Sequence, residues 1–147
     1  MQETRYFSLL VGVIYLLIGI AGFISGLHTT PPPGAPHLDQ NADYGYLFGL
    51  FPINVWANVL HIVVGLAGLA AFPRASLARG YCILLFLGFG ALTFMGFMPQ
   101  ANTANGWIPL FSGDTWLDAA TSLAGAFFAY VMPEPTTMEP APAAAAH

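Results

Sequence analysis

The sequence predicts an all-α membrane protein: a bundle of four transmembrane helices, made of two helical hairpins, with both termini in the cytoplasm. Three observations carry that expectation. Of 147 residues, 56% are hydrophobic and only 7% charged, with a mean hydropathy of +0.66. A soluble domain carries about 25% charged residues, so this chain is short of the polar surface it would need in water. Four apolar runs each approach the roughly 20 residues that cross a 30 Å hydrocarbon core. Finally, there is no lysine, and Arg5, Arg74 and Arg79 fall on one side of a four-span arrangement. The positive-inside rule assigns that side to the cytoplasm. A net charge of −4 without a basic patch excludes a nucleic-acid surface.

The first predicted span covers residues 6–27. Its apolar run exceeds the usual core of a signal peptide and no Ala-x-Ala site follows, so it reads as a retained helix. An outer loop of about 25 residues comes next and opens with Pro31-Pro32-Pro33-Gly34-Ala35-Pro36, a stiff extended segment. It turns apolar over Tyr44–Phe51, which is expected to lie along the interface or fold back over the bundle. The second span, 53–72, is followed by Pro73-Arg74-Ala75-Ser76. That tight turn predicts spans two and three as an antiparallel hairpin.

The third span, 77–98, holds the single cysteine, Cys82, which reads as a small core residue. A second outer loop ends in Trp107-Ile108-Pro109-Leu110-Phe111, and the two outer loops are expected to cap the outer mouth of the bundle. The fourth span, 115–132, is the shortest. Residues 133–147 are rich in proline and alanine and read as a disordered tail. Tyr44, Tyr46, Trp56, Trp107 and Trp116 gather at the outer ends, and Tyr6, Tyr81 and Tyr130 at the inner ones. Amphipathic rings favour the headgroup level, so these girdles imply no ligand.

Two of the spans open on the same polar ladder, 60 positions apart. The first is Leu50-Phe51, Asn54, Trp56, Asn58, His61 and Gly65; the second is Leu110-Phe111, Asp114, Trp116, Asp118, Thr121 and Gly125. Steps of 4, 7 and 11 residues keep to a narrow arc of a helix. Each ladder is therefore one polar stripe on an apolar helix, and hydrocarbon forces such a stripe towards protein or water. Spans two and four run in the same direction, so the chain reads as two hairpins related by an axis along the membrane normal. Spans one and three match much more weakly. An Asn58/His61/Asp118 cluster, with Asn54 and Asp114 nearer the water, is the candidate site.

Such a cluster has two uses. As interhelical glue, each hydrogen bond contributes about 0.6 kcal/mol. As a functional site, it binds a small ligand or moves protons, which is the default reading of intramembrane ionisable groups. Haem needs two axial ligands, and only His61, with Met95 or Met98 as a distant second, lies in a span. No His/Cys spacing suits zinc. No Ser-His-Asp set, phosphate loop or redox cysteine pair is present, so no metal, cofactor or catalytic residue is expected.

The run Gly49–His61, continued by Gly65-Leu66-Ala67-Gly68-Leu69, resembles the signature helix of a small bacterial four-span family catalogued as domain of unknown function 4383. A second signature like Asp114-Thr115-Trp116-Leu117-Asp118 opens the last span, and the likeness in hydropathy extends over about residues 5–132. The resemblance implies a four-span fold and weight on Asn54, Asn58, His61 and Asp114. The family commonly has His where this chain has Ala57 and Asp118. The sequence therefore predicts a multi-pass protein of the bacterial inner membrane, structural or accessory in type, partnered by the bilayer, a membrane complex or itself. The alternative is a small-ligand-binding or proton-coupled module built on the Asn/His/Asp cluster.

Overall fold

A computed structural model describes residues 2–132; the predicted disordered tail lies outside the described residues. The fold is mostly helical, with four α-helices: α1 (Gln2–Ala21), α2 (Val55–Ala71), α3 (Ala75–Phe97) and α4 (Gly113–Ala126). A π-helical turn, Phe127–Val131, continues α4. Two helices, α1 and α3, are long and apolar enough to cross a membrane. The first helix stops at Ala21, six residues short of the predicted span, where the chain tightens into a 3₁₀ turn at Ser25–Leu27.

Helices α1 and α4 bury polar and small residues and expose large apolar ones. The buried residues of α1 are Thr4, Ser8, Val11, Gly12, Tyr15 and Gly19, while Leu10 and Leu17 face outward. In α4 the buried face is Asp114, Thr115, Asp118, Thr121, Ser122 and Gly125. A water-soluble helix buries its apolar stripe instead.

Glycine decides which helices pair. The closest associations are α1 with α2 and α3 with α4; α2 and α3 touch only lightly. The Pro73 turn joins α2 to α3, which meet where Tyr81 Oη donates to Val64 O at 3.1 Å but associate less closely than the other two pairs. A Cβ on Gly65 would lie 2.5 Å from Leu16 N and 2.8 Å from Gly12 O, so the α1 and α2 backbones meet there. A Cβ on Gly125 would lie 2.9 Å from Phe86 N and 2.8 Å from Cys82 O. The same crossing thus occurs twice, and Cys82 holds the place in α3 that Gly12 holds in α1. Between α2 and α3 bulky side chains, including Leu60, Val63, Leu84 and Leu92, border an apolar groove of ≈ 330 Å³.

A small antiparallel sheet, absent from the predicted all-α architecture, occupies the first long loop. It comprises β1 (His28–Thr29), β2 (Gly45–Leu47) and β3 (Phe51–Ile53), in the order β1-β2-β3, with His28 opposite Leu47 and Tyr46 opposite Pro52. Pro52 is tolerated because β3 is an edge strand. Phe48, Gly49 and Leu50 join β2 to β3, the first two with left-handed φ values of 53° and 72°. Strands of two or three residues are too short to leave an alternating pattern, so Tyr44–Phe51 read simply as apolar. Tyr46, Leu47 and Ile53 are buried, and β3 packs on α2 and α4.

The second loop joins the sheet over the same end of the bundle. Gln40 N donates to Gly106 O at 3.0 Å, and the Trp56 and Trp107 rings lie 5.4 Å apart. Tyr44 Oη donates to Pro36 O at 3.0 Å, and burial, with Tyr46 alongside, pushes this phenol up to about 12. At the opposite end, Arg5 Nε donates to Phe72 O at 2.8 Å and Arg79 Nε to Ala129 O at 3.0 Å. Both guanidiniums thereby satisfy carbonyls at helix C-termini, where the helix dipole also favours a cation.

Candidate functional site

Asn54 begins the first ladder as the N-cap of α2. Its Oδ1 accepts from Ala57 N at 2.9 Å, and its Nδ2 donates to Gln40 O at 2.8 Å and Trp107 O at 2.7 Å. Fully buried and fully used, it ties the helix start to both loops. One turn on, Asn58 Nδ2 donates to Gly22 O at 2.8 Å, which anchors the end of α1.

Four other ladder atoms are left unsatisfied. Asn58 Oδ1, His61 Nδ1, Asp114 Oδ1 and Asp118 Oδ2 are all buried without a hydrogen-bond partner among the described residues. Their residues are 0%, 5%, 4% and 1% exposed. Buried polar groups are nearly always paired, so each orphan marks stored free energy, a bound water or a binding site.

The structure links the ladders through a third helix. Tyr15 of α1 stands among α2, α3 and α4. Its ring lies 5.4 Å from that of His61 and 5.1 Å from that of Phe89, and its hydroxyl shares a 2.7 Å hydrogen bond with Thr121 Oγ1. Sequence reasoning passed over Tyr15. Its signal was a phenol in mid-helix, 7 residues after Ser8 and 11 after Thr4, on the face those two occupy.

His61 shares its cavity with Asp114. The two line a largely enclosed space of ≈ 80 Å³, walled otherwise by Ile18, Leu47, Phe48, Phe51, Ile53 and Leu117. Asp118 follows Asp114 by four residues on the same face of α4 and is not part of that wall. The β2–β3 hairpin, which the sequence did not reveal, closes the cavity from the loop side. Among the described residues, no group of three or more His, Cys, Asp or Glu side chains is disposed to hold a metal ion.

Residues 5–131 match the family described as Domain of unknown function (DUF4383). The chain belongs to that family. The match covers α2, α3 and α4, all but the first three residues of α1, both ladders and the cavity of this DUF4383 member. No curated protein and no solved structure matches it.

Proposed function

We propose that this DUF4383 member is a four-span protein of the bacterial inner membrane, termini cytoplasmic, whose His61–Asp114 cavity binds a small polar ligand or protons. The membrane placement is supported by the inside-out pattern: Leu84 and Leu123 are 70% and 71% exposed while Asp118 is buried. Lipid, unlike water, favours that arrangement. The cytoplasmic assignment rests on Arg5 and Arg79, which bind helix ends away from the sheet, and on Arg74 in the turn between them.

One observation carries the binding reading. Asn54, Thr115 and Ser122 serve as glue and are satisfied within the chain, whereas His61 Nδ1 and Asp114 Oδ1 are buried, unpaired and beside a cavity. Pure packing would select against such orphans, because each costs about 1–3 kcal/mol. The arrangement supports no catalytic assignment.

A second reading, an accessory subunit that assembles with a membrane complex or with itself, is favoured by the apolar groove between α2 and α3. Native mass spectrometry of protein released gently from its own membranes tests both. A small adduct lost on His61→Leu, with the helical fold intact, supports the cavity. A second polypeptide or copy, retained in His61→Leu and lost on Leu84→Arg, supports the accessory reading instead.

A further inference from the structure

We infer that the groove between α2 and α3 holds an acyl chain of an anionic phospholipid, with the lipid phosphate at Arg74. The inference rests on the membrane placement proposed above and is independent of the His61–Asp114 cavity. It gives the groove a lipid in place of the subunit of the second reading.

The groove has the shape of a chain. Two hollows, of ≈ 330 and ≈ 520 Å³, share Ala67, Tyr81 and Leu84 and so run into one another. Glycines keep them open: a Cβ on Gly80 or Gly88 would meet nothing within 4 Å, whereas Gly12, Gly65 and Gly125 each lie against a neighbouring backbone. From Ser76 to Gly88 the helix rises about 18 Å, close to the roughly 15 Å of one hydrocarbon leaflet.

The walls have the chemistry of a chain. Of the lining side chains only Tyr81 and Ser76 are polar, and Tyr81 Oη already donates to Val64 O at 3.1 Å. What remains is an apolar trough with a hydroxyl at one end. A second helix fits it less well. Helices approach closely in lipid along faces of small residues, and Leu84, 70% exposed, stands midway between Gly80 and Gly88 and interrupts that face. A flexible chain bends round it.

Charge selects the headgroup. The Ser76 end of the groove is the arginine end of the bundle. Arg5 and Arg79 donate to Phe72 O and Ala129 O, while Arg74 is exposed and its side chain makes no capping bond. Arg74 stands two residues before Ser76 at the start of α3, where the helix dipole also attracts an anion. Among the described residues, Glu3 is the only acid at this end. Basic pockets between membrane helices on the cytoplasmic side take anionic headgroups in this way.

The test uses the full chain purified in detergent, freed of lipid and offered equal amounts of phosphatidylglycerol and phosphatidylcholine with the same acyl chains. Native mass spectrometry counts what is retained. Phosphatidylglycerol is expected to be favoured about fivefold, the effect of one basic group at the membrane surface. Arg74→Gln abolishes the preference and leaves a lipid bound. Gly80→Leu combined with Gly88→Leu fills the groove and loses the lipid, while the helical circular dichroism is kept because neither position has a neighbour to displace. Glycerol 3-phosphate, a headgroup without chains, does not compete.

Equal retention of the two lipids, a preference that survives Arg74→Gln, unchanged retention in the double glycine variant, or displacement by glycerol 3-phosphate overturns the inference. So does a lipid-free pair of chains that the glycine substitutions separate, since a second copy then fills the groove. Alkaline carbonate extraction of the native membranes separates the two readings. Protein released by it refutes the membrane placement; protein that stays but shows no lipid preference refutes only the lipid.

Discussion

Replacing His61 with leucine is expected to stabilise the fold, although the residue is buried at a helix crossing. The two side chains are of similar size, so the site neither empties nor overfills. What leaves is an imidazole whose Nδ1 is buried without a partner, a condition that costs about 1–3 kcal/mol. What is lost is the tilted contact with Tyr15, ring centroids 5.4 Å apart, worth about 0.5–1.5 kcal/mol. The difference favours leucine by about 1 kcal/mol. Reversible unfolding in mixed micelles, followed by circular dichroism, measures it directly. A destabilisation of more than about 2 kcal/mol would mean that His61 is satisfied packing, on the scale of a buried group whose partners are broken. The case for a functional cavity would then collapse.

Asn54→Ala, on the same ladder, is expected to go the other way. It removes an N-cap worth about 0.5–2 kcal/mol and two further hydrogen bonds of about 1 kcal/mol each, so the same unfolding assay should show a loss of about 2.5–4 kcal/mol. Gly65→Ala forces a Cβ to within 2.5 Å of the α1 backbone, and overpacking of this kind costs about 1–3 kcal/mol; a neutral result in that assay would show that the helices cross elsewhere. Tyr15→Phe gives up the 2.7 Å bond to Thr121 for about 1 kcal/mol. In a double-mutant cycle with Thr121→Val the two losses should be non-additive, and simple additivity would remove Tyr15 from its place between the ladders.

Much of the chain could be read from local patterns. The four apolar runs announce helices because hydrocarbon-like stretches of that length have few other stable forms. The ladders at 4, 7 and 11 residues announce which face of α2 and α4 is buried, and Asn54 stands where a helix start wants a side-chain acceptor. The cysteine's role as a small core residue was equally legible, since nothing else in the chain pairs with it.

Other features depend on contacts between distant segments. The Pro73 turn puts α2 and α3 next to each other in sequence, but glycines at Gly12, Gly65 and Gly125 let other backbones meet, and those closer approaches dominate the packing. The three short strands have too few residues to show a period, and they exist because His28 and Pro52 both find Gly45–Leu47 as a neighbour. The site shows the same division. Residue type and spacing named Asn54, Asn58, His61, Asp114 and Asp118, but spacing carries no information on who pairs with whom across helices. Tyr15 stands between the ladders, Asn54 is spent on the loops, and His61 faces the same cavity as Asp114 under Phe48 and Phe51. A ladder is a property of one helix; an unpaired acceptor beside a cavity is a property of several elements at once, and no local pattern can contain it.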